Sequence, residues 1–178
     1  NYTYFPPGKG PRNNVGYNAG CTNPTVQDNY FVGVGAFEIV NCTGAITITG
    51  NTLYGSISGF TAGQYPNNTY FGSTRPTGVA VFIRPNFYDS RRAHIAIFNW
   101  DLKTSVAVDV SGILAPGDTY EVKNAQNYFG QPVASGTYTG SPITIPMNLT
   151  TITTPVGNVP VQPTPNSPEF GSFVLIKR

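Results

Sequence analysis

Apolar and polar residues alternate along much of this chain with a period of two. Ala45-Ile46-Thr47-Ile48-Thr49 is a clear case, and such alternation predicts strands and not helices. From Val79 onward short runs of this kind recur. They are Val79-Ala80-Val81-Phe82-Ile83, the stretch from Ala93 to Trp100, and Val106, Val108 and Val110 set between Ala107, Asp109 and Ser111. Thr119 to Lys123, Ile143 to Met147 and Phe173 to Ile176 follow, with turns such as Pro116-Gly117-Asp118 between them. Short strands at this spacing, punctuated by Gly and Pro, predict two packed antiparallel sheets over residues 79–178. No window carries a 3.6-residue period, so the expected class is all-β. The stretch 151–168 holds five prolines and no charge, and reads as an extended arm along the body or as a flexible linker.

The first third carries a repeat instead. Val26-Gln27-Asp28-Asn29-Tyr30-Phe31-Val32-Gly33 aligns with Ile48-Thr49-Gly50-Asn51-Thr52-Leu53-Tyr54-Gly55 at an offset of 22 residues. A shorter echo, Asn68-Thr69-Tyr70-Phe71-Gly72, follows 17 residues later and reads as an atypical terminal coil. Units this small cannot bury a core alone, so a fixed period predicts stacked coils over residues 1–78, ending in a cap segment. Asn29 and Asn51 would stack at a coil corner, where the amide bonds its equivalent one coil away and tolerates left-handed backbone; ordinary turn residues are the alternative. Cys21 and Cys42 fall at near-equivalent places on adjacent coils. The ~4.8 Å strand spacing suits a disulfide there, and two buried thiols are the alternative.

Composition narrows the function classes. In 178 residues only 10% are charged, the formal net charge is +2, and 21 Thr and 17 Asn make a neutral, hydrogen-bonding surface. No Lys/Arg cluster stands in the sequence, which argues against nucleic acid as a partner. No apolar run approaches the ~18 residues of a membrane span, and none reads as a signal peptide. One His and two Cys leave little for a metal, so no metal site and no cofactor are expected. Low charge and few cysteines agree with a secreted or cell-surface location.

Three stretches carry a resemblance to a known family. They are Gln64-Tyr65-Pro66-Asn67-Asn68-Thr69-Tyr70, Phe82-Ile83-Arg84-Pro85-Asn86 with Ile97-Phe98-Asn99-Trp100-Asp101, and Tyr120-Glu121-Val122-Lys123-Asn124-Ala125-Gln126-Asn127. Together they resemble the C-terminal region of bacterial secreted right-handed parallel β-helix repeat proteins, of the pectate-lyase-like superfamily. The resemblance implies a short right-handed parallel β-helix followed by an antiparallel β-sandwich. It marks an architecture and not a catalytic motif. Family members carry many coils and this chain about two, so a groove built on earlier coils would be missing.

Candidate chemistry is sparse. A glycoside hydrolase needs clustered carboxylates, yet only Asp28 and Glu38 fall in the repeat, where turn and strand-edge roles suit them. His94 lies within a strand, on the face of Ala96, Phe98 and Trp100, and reads as a packed or edge histidine. No catalytic residue is expected. For carbohydrate, the loop Asn86 to Arg92 gathers Phe87, Tyr88, Arg91 and Arg92, and a second loop offers Tyr128 beside Phe129; guanidiniums suit carboxylates and sugar hydroxyls. In the alternative, Phe87 and Phe129 plug the ends of the sandwich while the arginines pair with Asp89. Asn1, Asn41, Asn67 and Asn148 match the N-x-Ser/Thr glycan acceptor pattern. The leading expectation is a non-catalytic extracellular structural or surface-assembly module that associates with copies of itself, or with a longer parent chain, through exposed β edges. A carbohydrate-binding module acting on a polysaccharide is the alternative, and an enzyme fragment with its active site upstream is a third reading.

Overall fold

The computed structural model describes residues 1–6, 10, 12–157 and 163–178. The chain is all-β, with parallel and antiparallel sheets; among the described residues there is no α-helix, only a 3-10 turn at Ala125–Asn127. It divides into two compact units, Asn1–Pro76 and Thr77–Arg178.

The first unit contains β1 (Tyr2–Tyr4), β2 (Asn14–Thr22), β3 (Thr25–Gln27), β4 (Tyr30–Thr43), β5 (Thr47–Thr49), β6 (Thr52–Ser58) and β7 (Thr69–Gly72). All its pairings are parallel. β1, β4, β6 and β7 lie side by side, β2 also pairs with β4, and β3 pairs with β5. The 22-residue offset of the sequence is the register of β3 on β5 (Val26 opposite Ile48) and of the start of β4 on β6 (Phe31 opposite Leu53). The shorter echo sets Thr52 opposite Thr69. Within β2 and β4, Cys21 faces Cys42 with Cα atoms 4.3 Å apart, and their sulfurs are joined in a disulfide. Val26, Phe31, Phe37, Ile39, Ile48 and Leu53 form the core, and Phe60, Tyr65 and Tyr70 pack against it.

Beside this core runs a file of asparagines. Asn29 donates from its backbone N and its Nδ2 to Asn51 Oδ1, at 3.0 and 2.7 Å. Asn51 repeats both donations to Asn68 Oδ1, at 2.9 and 2.8 Å, and Asn1 makes the same pair to Asn29 Oδ1. The backbone carbonyls keep step: Asn1 O, Asn29 O and Asn51 O accept from Tyr30 N, Thr52 N and Thr69 N. At Asn68 the file ends, because its Nδ2 turns to Ile48 O, Tyr65 O and Tyr70 Oη. Asn29 and Asn51 are 7% and 1% exposed, so these bonds satisfy polar groups that have lost water. Just before Asn29 and Asn51 the backbone is left-handed, at Asp28 (φ 54°) and Gly50 (φ 68°). A Cβ at Gly50 would run into the Asp28 carboxylate, which explains why Gly follows Asp at equivalent corners.

The second unit contains β8 (Val79–Pro85), β9 (Arg92–Asn99), β10 (Ser105–Val108), β11 (Thr119–Asn124), β12 (Ala134–Thr137), β13 (Ile143–Pro146) and β14 (Phe170–Lys177). A five-stranded antiparallel sheet has the order β12-β11-β14-β9-β8, and β10 pairs with β13 in a second sheet. Both contribute to one core, which includes Ile95, Ile97, Val106, Val108, Val122, Ile145, Met147, Phe173 and Leu175.

β9 departs from the expected alternation. His94 is exposed, whereas every residue from Ile95 to Asn99 is buried. Beyond His94 the strand is covered on both faces, as in a two-sided core strand. Phe98 there meets Phe82, Trp100 and Phe170 with ring centroids 5.0–6.1 Å apart. Of the proline-rich stretch 151–168, residues 158–162 lie outside the described residues. On either side of these, the chain bonds to the Ala125–Asn127 turn. Gln126 accepts from Thr153 N at its backbone oxygen, donates through Nε2 to Thr164 O and accepts from Asn166 N through Oε1.

The asparagine file gives a direct test. Asn51→Ala removes an acceptor that serves both the buried Asn29 amide and its side chain, at roughly 1–3 kcal/mol per orphaned group. Urea unfolding is expected to show a loss of about 3 kcal/mol. Asn67→Ala, at an exposed position with no side-chain hydrogen bond among the described residues, is expected to cost under about 0.5 kcal/mol. Equal losses for the two variants would contradict the assigned role of the file.

Candidate functional site

The loop between β8 and β9 is built by its own polar groups. Pro85 pairs with Ala93 at the hairpin base, and Asn86 N donates to Arg92 O at 2.9 Å. Asn86 Oδ1 accepts from Tyr88 N (2.9 Å) and Asp89 N (3.0 Å), the local bond that suits Asn to turns. Asp89 Oδ1 accepts from Arg91 N at 3.0 Å and lies 3.4 Å from Arg91 Nε, while Oδ2 lies 3.2 Å from Arg92 Nε. The Arg91 amide, joined by the two guanidiniums, holds the Asp89 carboxyl below the ordinary aspartate range against an opposing desolvation.

The arrangement leaves the two aromatics outside. Phe87 is 92% and Tyr88 93% exposed, and their rings touch edge to face at 5.2 Å between centroids. Phe129 is 92% exposed and meets the half-buried Tyr128 in the same way at 5.4 Å. The alternative in which Phe87 and Phe129 plug the ends of a sandwich is therefore corrected. Turn bonds at Asn86 tie the first loop to itself, so its rings project away from the core. The ion pairs of both arginines with Asp89 are present.

Strand pairing adds two cations that the sequence did not place here. β14 runs antiparallel to β9 with Ile176 opposite Arg92, and Lys177 N donates to Arg91 O at 2.7 Å. Asp89, Arg91, Arg92, Ile176, Lys177 and Arg178 consequently line one recess of about 250 Å³. Lys177 Nζ pairs with Asp118 at 2.6 Å, and Arg178 with Glu121 at 2.6 Å. Each pair lowers its carboxyl pKa, first through the side-chain hydrogen bond, and Arg178 is raised in turn by Glu121 and, more weakly, by Tyr128. Tyr128 is not among the residues that line the recess. Lys177 and Arg178 lie over eighty residues from Arg91 in sequence, and only the strand order could have revealed the cluster.

Among its described residues the first unit offers three hollows. One of about 360 Å³ lies beside β5 and is lined by Ile46, Ile48, Gln64, Tyr65 and Asn67. Two more lie away from it. One of about 330 Å³ lies between β1 and β2, lined by Asn1, Thr3, Asn14 and Val15, with the core rings Phe31 and Phe37 among its walls. The other, about 550 Å³, runs past Phe5, Val34 and Tyr54 over Gly33, Gly55 and Gly72. A Cβ at Gly55 would run into Gly33 O, so part of that glycine floor is a demand of the spacing between β4 and β6.

The remaining candidates are separate. Asp28 occupies a left-handed corner, and Glu38 pairs with Arg12 at 2.8 Å. Among the glycan acceptor candidates, Asn1 and Asn41 use their amides on Asn29 and Tyr17 O, whereas Asn67 and Asn148 are exposed with no side-chain hydrogen bond among the described residues. Among the described residues no group of three or more His, Cys, Asp or Glu could hold a metal, and no helix is long and apolar enough to cross a membrane. No family model matches the chain, and neither a curated protein nor a solved structure matches it.

The loop electrostatics have a pH signature. Asp89, Asp118 and Glu121 are depressed in the folded state. Their contribution to stability is complete above the ordinary carboxylate range and lost as pH falls through the folded values. Carboxyl-detected NMR titration is expected to place the Asp89 midpoint below that of a free aspartate. Arg91→Gln should move the midpoint upward, though not fully, because the Arg91 amide bond persists. An unshifted Asp89 in the unmodified protein would contradict the loop geometry.

Proposed function

We propose that this chain is a non-catalytic extracellular structural module that associates through the β1/β2 side of its first unit. In this reading the first unit is a short right-handed parallel β-helix and the second an antiparallel β-sandwich. The 22-residue strand register supports the first assignment, and the single core shared by two sheets supports the second. The Cys21–Cys42 disulfide agrees with a location outside the cytosol.

One observation carries the assembly reading: the two sides of the coil stack differ. On the β7 side Asn68 turns its amide inward and ends the file, and Phe60, Tyr65 and Tyr70 pack against the core beside a hollow at Ile48 and Tyr65. On the β1/β2 side, β1 pairs with Tyr30–Val32 of β4 and the irregular β2 with its second half, and a hollow reaches Phe31 and Phe37. The outer edge of β1 and β2, with core rings beneath it, accepts a further strand or coil, from another copy or from a longer parent chain.

The purified chain is expected to form oligomers or filaments in dilute buffer, seen by light scattering and negative-stain microscopy. Lysines at exposed β2 positions, Asn14→Lys with Tyr17→Lys, should return it to a ~19 kDa monomer, since edge charges oppose strand addition. A monomer at all concentrations in the unmodified protein would overturn the proposal.

A further inference from the structure

The β8–β9 loop presents an unusual combination to its surroundings. Its planar oxygens are consumed internally, Asn86 Oδ1 by two backbone amides and the Asp89 carboxylate by Arg91 and Arg92. What remains outward is of two kinds. Phe87 and Tyr88 form an apolar tip, almost wholly in water, at the end of a hairpin. Behind them Asp89 engages only the Nε of each guanidinium, so the Nη edges of Arg91 and Arg92 have no protein partner among the described residues, and their side chains are 72% and 48% exposed. Lys177 and Arg178 line the same recess, each already paired with a carboxylate, Asp118 and Glu121.

Sugar hydroxyls are read by planar oxygens and nitrogens together with a flat aromatic face. Here those oxygens are occupied, and the edge-to-face packing of Phe87 on Tyr88 offers no coplanar platform. An apolar tip backed by cations fits a different partner. Aromatic side chains favour the boundary between lipid headgroups and acyl chains, and Lys/Arg clusters favour anionic headgroups. The order along the hairpin matches that layering, with rings at the tip and guanidinium forks at its base, where bidentate contact with phosphate is available.

We propose that the β8–β9 hairpin is a peripheral anchor for an anionic lipid surface. Phe87 and Tyr88 enter the interfacial layer, and Arg91 and Arg92 receive lipid phosphates at the recess. This goes beyond the assembly reading and does not depend on it, because the residues belong to the second unit and none lies on β1 or β2.

The test is co-sedimentation of the full chain with vesicles of phosphatidylglycerol and phosphatidylcholine in equal parts, against phosphatidylcholine alone. Binding to the anionic vesicles at least tenfold tighter is expected. Phe87→Ser with Tyr88→Ser, and separately Arg91→Gln with Arg92→Gln, should each weaken it about tenfold. Arg12→Gln with Lys103→Gln, which removes the same charge from residues that do not line the recess, should change it less than twofold. Circular dichroism of each variant reports that the fold is kept. Three results would overturn the proposal. The first is equal binding to both vesicle types. The second is unchanged binding without the two rings, accompanied by displacement with millimolar inorganic phosphate, which would reduce the recess to a simple anion site. The third is no vesicle binding together with Tyr88-dependent retention on an insoluble polysaccharide, which would return the loop to carbohydrate.

Discussion

The first unit rests on one repeated interaction, an asparagine that gives two donors to the oxygen of the next. Coil stacking brings a backbone N–H at each corner into a place without water, and no strand partner is available there. The side-chain carbonyl one coil away supplies the acceptor, while its amide group points onward to the next carbonyl. Each rung therefore fixes both the vertical spacing and the rotation of its neighbour. Coil length is free to vary around this constraint, from 28 residues between Asn1 and Asn29 to 22 and then 17 at the far side. What must be conserved in such a stack is the geometry of the corner and not the length between corners.

That distinction explains what the sequence disclosed. Asn29 and Asn51 were readable because the intervening coil has a regular length and flanking residues that also recur. Asn68 was visible as an echo. Asn1 was not, since a longer coil separates it from Asn29, and its local pattern suggested only a glycan acceptor. Strand periodicity outlined the second unit well, but β9 defied it after His94, where burial on both faces removes alternation. The loop aromatics could be named in advance, whereas their exposure could not. Exposure depends on the hydrogen bonds at Asn86, and a one-dimensional pattern does not show where a turn aims its side chains. The basic recess was the least legible feature, because adjacency of Arg91 and Lys177 is a property of sheet order.

Low charge density gives these few ionic groups their weight. With few carboxylates in the chain, each one beside the recess serves a named cation, and Asp89 serves two. Surface ion pairs of this kind add little to stability individually. Their effect is positional: they hold guanidinium and ammonium groups at the ends of β9 and β14 that would otherwise sample many rotamers in water. A neutral, Asn- and Thr-rich surface elsewhere leaves this edge electrostatically distinct.

The disulfide has a mechanical meaning as well as a chemical one. Stacked coils joined by parallel pairing can be peeled apart one after another when the chain is pulled, each release lengthening the molecule. Cys21 and Cys42, 21 residues apart, tie β2 to the far end of β4. Under tension the bond would carry the load itself and keep roughly 70 Å of contour, at about 3.4 Å per residue, from being paid out. The loop that contains Asn29, Phe31 and Phe37 would thus stay closed even after neighbouring strands had parted.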